Sequence, residues 1–453
     1  MKAGLVIPGT LLALAPVAAF IAYAASSALP PGAPASTPVF DAALVAKGAA
    51  LAKIANCATC HTAEGGIPYA GGRALATPFG TIYGTNITPD PRHGIGEWPE
   101  AAFIRAMREG IDKDGRHLYP VFPYDHYTLM PDEDLRALYA FIMTRDPVAA
   151  EAPANDLRFP FNIRSLIGAW KALYFRPAAF APDPAQSAQW NRGAYLVQGP
   201  AHCGSCHTPR NLLGAEKTKQ HVAGGEAEGW HAPALDAGSP SPVPWTAETL
   251  YQYLRHGYVE QHAVPAGPMV EVVRNLSTAP EEDVRAISVY IASLGGEETA
   301  ERRQHAERSV ARARNDAAAQ AAGAPAATAA DGGDPVVRAG RGVYADACAS
   351  CHGSGRLSAS AGTALHLALG SALYFPTPRN LIHIIVDGIV PPDGEPGPWM
   401  PGYAGALTDD QVVGLVRFLR SEVAKAPPWR DVEGEVRKAR RESERKLAVA
   451  EAK

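Results

Sequence analysis

The sequence is poor in cysteine and has no excess of positive charge. It contains 453 residues, of which six are cysteines, and its formal net charge is −4. The absence of a Lys/Arg cluster in the core of the chain excludes a nucleic-acid partner, because neutralising phosphates requires a basic surface. The chain also lacks a Rossmann glycine fingerprint, a P-loop and the cysteine set of an iron–sulfur cluster. It therefore supplies no flavin, nicotinamide or molybdenum site of its own.

All six cysteines fall in pairs, and each pair is followed directly by a histidine. The three segments are Cys57-Ala-Thr-Cys60-His61, Cys203-Gly-Ser-Cys206-His207 and Cys348-Ala-Ser-Cys351-His352. Cys-x-x-Cys-His is the haem-attachment pattern: the thiols form thioethers to the porphyrin, and the imidazole becomes the proximal iron ligand. Zinc sites and dithiol redox pairs also use Cys-x-x-Cys, but neither requires a histidine after every pair. The sequence therefore predicts three covalently bound haem c groups.

The N-terminal segment is apolar enough to cross a membrane. Residues 3–25 carry no charge and follow Lys2, and roughly 20 apolar residues span a hydrocarbon core. We favour a membrane anchor over residues 1–25; the alternative is a cleaved signal peptide with residues 22–24 as its cleavage site. Covalent haem attachment follows export. The remaining chain is thus expected on the periplasmic side of the bacterial inner membrane, anchored, or peripheral if the segment is cleaved.

One helical pattern occurs three times along the chain. Each attachment motif follows a short helix that contains a glycine, and it precedes a loop rich in glycine and proline. A second helix then ends at a glycine, and a third opens on acidic residues that complement the helix dipole. The first glycines are Gly48, Gly193 and Gly342, and those that end the second helices are Gly110, Gly257 and Gly388. This order is typical of class I cytochrome c domains and predicts an all-α fold with three such domains in tandem.

The repeats divide the chain into segments. The three predicted cytochrome c domains cover residues 40–150, 185–296 and 336–425. A charged and then Ala-rich linker, predicted to be flexible, covers residues 297–335. Residues 426–453 form a charged tail, predicted to be a helix that is either solvated or docked onto a partner or lipid headgroups.

Methionine placement predicts the sixth iron ligand of two haems. Met269 and Met400 each lie twelve positions after the glycine that ends the second helix, Gly257 and Gly388, in a chain with six methionines. A thioether ligand saturates the iron of an electron carrier and raises its reduction potential. The alternative is that both methionines fill gaps in the core.

The first domain departs from this pattern. Phe122 stands twelve positions after Gly110, and phenylalanine cannot bind iron. We expect His126, four residues later, as the sixth ligand, which would give the first haem two imidazoles and the lowest potential of the three. The alternatives are His117, a five-coordinate iron, or a hydrogen-bonding role for His126.

Several motifs resemble those of the three-haem cytochrome c subunits of membrane-bound bacterial dehydrogenases. They are Thr-Pro-Phe-Gly-Thr-Ile-Tyr at 77–83, Thr-Asn-Ile-Thr-Pro-Asp at 85–90, Asp-Gly-Arg-His-Leu-Tyr-Pro at 114–120 and Cys-His-Thr-Pro-Arg-Asn at 206–211. That family includes the cytochrome subunits of alcohol, gluconate and sorbitol dehydrogenases. Its alcohol and gluconate members carry methionine where Phe122 stands.

Other segments are more similar to one branch of that family. They are Phe-Pro-Tyr-Asp-His at 122–126, Pro-Ala-Asn-Asp at 153–156 and Phe-Pro-Phe-Asn at 159–162. This branch serves molybdenum hydroxylases such as isoquinoline 1-oxidoreductase, nicotinate dehydrogenase and aldehyde dehydrogenases.

The resemblance implies an electron-transfer subunit with no substrate site of its own. A catalytic dehydrogenase subunit, by this resemblance a molybdenum hydroxylase that oxidises an aldehyde or an N-heterocycle, would reduce the three haems. The haems would pass the electrons to ubiquinone or a terminal oxidase of the respiratory chain. The alternatives are a peroxidase-like multihaem enzyme with an open first haem and a free-standing relay between redox proteins.

Overall fold

A computed structural model describes residues 39–262, 264–297, 299–321, 334–352, 357–358, 362–363, 366–390 and 399–451. The predicted N-terminal anchor and residues 322–333 of the predicted linker lie outside these ranges. No helix within the ranges has both the length and the hydropathy needed to cross a bilayer.

Helices make up most of the regular structure, as the sequence predicts. In chain order they are α1 (Ala42–Ile54), α2 (Cys57–His61), α3 (Glu100–Glu109), α4 (Tyr124–Tyr127), α5 (Asp132–Met143), α6 (Leu166–Tyr174), α7 (Ala188–Gln198), α8 (Gly204–His207), α9 (Ala247–His256), α10 (Met269–Ser277), α11 (Glu281–Leu294), α12 (Ala300–Ala321), α13 (Pro335–Ala347), α14 (Ala349–His352), α15 (Arg379–Asp387), α16 (Asp409–Phe418) and α17 (Val432–Glu451).

Short antiparallel strands, which the all-α prediction omits, follow each attachment motif. They are β1 (Ala74–Thr77), β2 (Gly80–Tyr83), β3 (Asp156–Leu157), β4 (Gly225–Ala227), β5 (Trp230–Ala232), β6 (Leu357–Ser358) and β7 (Gly362–Thr363). Strand β2 lies between β1 and β3, whereas β4 pairs with β5 and β6 with β7. In the first hairpin, Ala74 is opposite Tyr83 and Thr77 is opposite Gly80.

The chain divides into two compact units. The first contains the residues up to Ser205 together with Ala279–Ile287, and the second contains Cys206–Thr278 and the residues from Ser288 onward. The segment predicted as the second domain, 185–296, therefore contributes to both units.

In the first unit, α1 packs across α5. Gly48 lies at the crossing, where a Cβ would stand 1.9 Å from the carbonyl oxygen of Ala137. The helices can approach this closely because glycine has no side chain. Leu51, Ile54 and Leu138 are buried around this contact, and each such side chain contributes about 1.5–3 kcal/mol on burial.

In the second unit, α13 packs across α16 in a similar way. Gly340 lies at this crossing, with its Cβ position 1.9 Å from the carbonyl oxygen of Gly414. Gly342, the glycine singled out in the sequence, has nothing within 4 Å of its Cβ position. The contact thus uses the glycine two positions earlier, on the face of α13 turned toward α16.

The charged C-terminal tail is helical, and α17 packs on α15 and α16. Val432, Val436 and Ala439 are its buried apolar face. The guanidinium of Arg440 lies 3.0 Å from the Asp409 carboxylate at the start of α16. The tail is therefore docked on its own unit rather than fully solvated.

Candidate haem sites

The first attachment motif forms its own helical turn, α2. The β1–β2 hairpin leads the chain back against it, and a Cβ at Gly84 would stand 1.8 Å from the carbonyl oxygen of Cys60. The Nδ1 atom of His61 lies 2.6 Å from the carbonyl oxygen of Thr85. A carbonyl accepts hydrogen bonds, so Nδ1 carries the proton. The lone pair then lies on Nε2, which is the arrangement that an iron ligand needs.

The second motif repeats this construction on α8. A Cβ at Gly225 would stand 2.4 Å from the carbonyl oxygen of Cys206, so β4 passes directly against the motif. The Nδ1 atom of His207 donates to the carbonyl oxygen of Pro233 at 2.6 Å, immediately after β5. Burial lowers the pKa of both His61 and His207. Both imidazoles are therefore neutral near pH 7, in the tautomer that can bind iron.

The third motif lies on α14, directly after α13. The β6–β7 hairpin follows it, as a hairpin follows the other two motifs, although residues 353–356 and 359–361 lie outside the described ranges. The Tyr403 hydroxyl donates to the carbonyl oxygen of Ala347 at 3.0 Å. This bond joins the segment after Met400 to the residue before Cys348.

The first cysteines of the first and third motifs lack the low-pKa thiol of a redox-active dithiol. No disulfide joins any of the six, all of which lie within the described ranges. Burial raises the pKa of Cys57 to about 12 and that of Cys348 to about 11. Reactive Cys-x-x-Cys pairs instead have a thiol with a lowered pKa. These donors fit haem c, in which the thiols become thioethers and the neutral imidazole binds iron.

The two predicted methionine ligands are held in different ways. Met400 pairs with Ile389, directly after α15, through backbone bonds of 2.8 and 2.9 Å. Met269 is the first residue of α10. Its loop lies against β5, because a Cβ at Gly267 would stand 2.4 Å from the indole of Trp230. The β4–β5 hairpin thus contacts both His207 and the loop of Met269.

The loop around Phe122 lies near the first motif. The Tyr127 ring is 5.4 Å from that of Phe122, and burial together with the nearby Cys57 and Cys60 raises the pKa of Tyr127 well above its usual value. His126 is buried beside it, and its Nδ1 donates to the carbonyl oxygen of Gln198 at 2.7 Å. Because Nδ1 is engaged in this bond, Nε2 is the ring nitrogen of His126 that could bind iron, as in His61 and His207.

A buried lysine, which the sequence did not reveal as important, determines which ring nitrogen of His117 carries the proton. Lys171 Nζ donates to the carbonyl oxygen of Gly110 at 2.7 Å and to that of Glu109. It also lies 3.2 Å from His117 Nδ1, and burial lowers the pKa of Lys171 to about 7. As an ammonium, Lys171 donates to His117 Nδ1 as well as to the two carbonyls. As a neutral amine it has only two protons, both used by the carbonyls, and it accepts from Nδ1 instead.

His202 connects the segments that precede the first two motifs. Its Nε2 lies 3.3 Å from the carbonyl oxygen of Ala55, two positions before Cys57. Its ring centroid is 5.7 Å from that of Tyr127 and 6.4 Å from that of His126. His202 itself directly precedes Cys203. No sequence signal indicates this role, because the histidine pattern is irregular outside the motifs.

Comparison with protein families agrees with this geometry. Residues 45–146 match the family described as cytochrome c, and residues 335–419 match the family described as cytochrome c oxidase, cbb3-type, subunit III. Each range contains one complete attachment motif. The chain is therefore a c-type cytochrome that binds haem c covalently.

Individual relatives specify the family. Over 394 residues the chain is 45% identical to a nicotinate dehydrogenase subunit of Pseudomonas putida, in a match that covers 86% of this chain but 31% of that protein. It is 35% identical to the fructose dehydrogenase cytochrome subunit of Gluconobacter japonicus, covering 84% of this chain and 80% of that protein. It is also 35% identical to the gluconate 2-dehydrogenase cytochrome c subunit of Pantoea cypripedii, with 83% and 85% covered.

The chain belongs to the family of dehydrogenase cytochrome c subunits, as its motifs predict, and its role is electron transfer. It spans less than a third of the length of the Pseudomonas putida relative.

Proposed function

We propose that this chain is the electron-transfer subunit of a bacterial dehydrogenase complex and carries electrons through three haem c groups. The repeated attachment motif carries the proposal, since His61 and His207 are each held by a backbone carbonyl in the iron-binding tautomer. The proposed thioether positions are Cys57, Cys60, Cys203, Cys206, Cys348 and Cys351. The proposed iron ligands are His61, His207, His352, Met269, Met400 and His126.

The three tandem domains, 40–150, 185–296 and 336–425, are part of this proposal. A helix that ends at Gly110, Gly257 or Gly388 follows each motif and its hairpin, and all three glycines have positive φ. When bound, each haem supplies a one-electron iron couple. The chain's own residues attach it, fix the ligand tautomers and exclude water.

His126 is the sixth ligand in our proposal for the first haem. Its Nδ1 donates to the Gln198 carbonyl, so Nε2 is the nitrogen that would bind iron, whereas Nδ1 of His117 contacts Lys171. We expect His126→Ala to convert one haem of three to high spin, while His93→Ala, at an exposed position, leaves the spectrum unchanged. An unaltered low-spin spectrum of His126→Ala would contradict this assignment. A high-spin band in the resting native protein would instead favour the peroxidase-like alternative.

The proposed partner is a molybdenum hydroxylase that oxidises an aldehyde or an N-heterocycle. Two observations support it: the 45% identity to a nicotinate dehydrogenase subunit and the aromatic Phe122 at the position of a methionine ligand. We place the complex on the periplasmic side of the inner membrane, anchored through residues 3–25. Ubiquinone or a terminal oxidase is the proposed acceptor.

Purification of the tagged full chain from native membranes tests this function. We expect a large catalytic subunit to co-purify, molybdenum to be present, and an N-heterocycle or aldehyde to reduce the haems. A Cys348→Ser/Cys351→Ser variant is the matched control for haem content, and it should lack one third of the haem absorbance of the native chain. A chain that purifies alone, or with a flavin or quinone enzyme, would contradict the proposed partner.

A further inference from the structure

Helix α6 has its apolar side outward and its lysine inward. Lys171 is 1% exposed, whereas Leu166 is 46% and Leu173 63% exposed. A surface helix normally buries its apolar stripe and leaves lysine in water. The cause of this inverted arrangement is local: the carbonyl oxygens at the end of α3 accept hydrogen bonds from Lys171 Nζ. The opposite side of α6 must then face outward.

The residues before α6 extend this exposed surface. Phe159 is 79% exposed, and Phe161 and Ile163 are also exposed. We define the apolar face as the set Phe159, Phe161, Ile163, Leu166, Leu173 and Tyr174. Six exposed apolar side chains within residues 159–174 are more than the single, scattered exposures of an ordinary surface and indicate an interaction surface.

The segment that carries the apolar face is positively charged. No acidic residue occurs between Asp156 and Asp183, whereas Arg158, Arg164 and Arg176 lie in that interval. Arg158 and Arg176 are exposed. The chain as a whole has a net charge of −4, so the sign of the charge is locally reversed. An anionic surface is the complementary partner.

Two further features indicate a lipid surface. Trp170 and Tyr174 form an aromatic pair on α6, with centroids 5.5 Å apart, and these residue types concentrate at membrane interfaces. The apolar face also belongs to the unit that follows the proposed anchor. Residues 26–38 would keep that unit within roughly 45 Å of the bilayer when fully extended.

We propose that the apolar face docks onto the interfacial region of an anionic phospholipid bilayer. The apolar side chains would enter the boundary between headgroups and acyl chains, and the exposed Arg158 and Arg176 would contact lipid phosphates. This inference rests on the membrane location proposed above. It adds a defined docking surface, with a fixed orientation of the first unit.

A depth measurement with a nitroxide label tests the docking. The six native cysteines are consumed by thioethers in the proposed holoprotein, so Leu173→Cys places a single reactive thiol on the face. Leu212→Cys is the matched control, because Leu212 is 97% exposed and lies outside the apolar face. The full chain is reconstituted in phosphatidylglycerol vesicles, and accessibility to oxygen and to a water-soluble nickel complex is compared.

We expect the label at position 173 to be about tenfold less accessible to the nickel complex than the label at 212. Phosphatidylcholine vesicles should weaken this protection, because they remove the anionic charge. Equal accessibility at the two positions would overturn the proposal. Protection that requires the catalytic subunit, or that arises without lipid at high protein concentration, would also overturn it in favour of a protein partner or a second copy.

A paired variant separates this inference from the proposed function. Leu166→Ser/Leu173→Ser should loosen the first unit from vesicles while leaving the haem spectrum and substrate-driven haem reduction intact; Leu212→Ser/Leu213→Ser should change neither. A water-exposed label at 173 in a protein that its partner still reduces overturns the docking alone. Failure of any partner to reduce the native haems overturns the proposed function instead.

Discussion

The glycine at the crossing of α13 and α16 gives a sharp test of the packing around the third motif. A Cβ at Gly340 would stand 1.9 Å from the Gly414 carbonyl oxygen, where ordinary contacts are 3.4–4 Å. Gly340→Ala must therefore push the two helices apart. Overpacking costs about 1–3 kcal/mol, which exceeds the roughly 0.5–1 kcal/mol that alanine gains over glycine within a helix.

Hydrogen exchange measured by mass spectrometry reports this locally, on peptides from α13 and α16. Net of the gain from alanine, the cost is at most about 2.5 kcal/mol, so we expect Gly340→Ala to speed exchange there by up to about sixtyfold, because each 1.4 kcal/mol changes the opening equilibrium about tenfold. Gly342→Ala is the control in the same helix, with nothing within 4 Å of its Cβ position, and it should slow exchange. Equal effects of the two substitutions would contradict the close packing of α13 against α16 at Gly340.

Three other substitutions test the sites and their surroundings. Burial lowers the pKa of Lys171 to about 7. Between pH 7 and 10.5 the unfolded chain therefore binds more protons than the folded chain, and stability should rise with pH across that window. Lys171→Met should abolish this rise, measured as the pH dependence of the free energy of unfolding in urea. Asp283→Asn should cost about 1–2 kcal/mol, measured by exchange in α7, since it breaks the paired bonds of 2.7 and 3.0 Å from Arg192. Gly84→Ala should remove one haem of three in a pyridine haemochrome assay, because its Cβ would meet Cys60, whereas Gly405→Ala, with open space around it, should retain all three.

The helices could be predicted because their signals are local. The acidic first turns of α5, α11 and α16 are present as expected. The glycines that end α3, α9 and α15 have φ values of 62°, 71° and 79°, a range in which glycine is favoured over other residues. Helix periodicity and chain reversal at glycine thus suffice to predict these elements.

The parts of the candidate sites that depend on distant backbone could not be predicted. The bonds to His61 and His207 come from the carbonyls of Thr85 and Pro233, and every residue has such a carbonyl. The side of α6 that faces inward was also not predictable, because periodicity does not show that backbone carbonyls at the end of α3 accept hydrogen bonds from Lys171. His202 likewise gains its neighbours only through tertiary packing.

The mass of the intact protein, expressed with export and haem maturation, tests the central claim most directly. We expect three covalently added haem groups on the native chain and two on each paired Cys→Ser variant of a single motif. A native chain with fewer than three added haems, or a paired variant that retains all three, would contradict it.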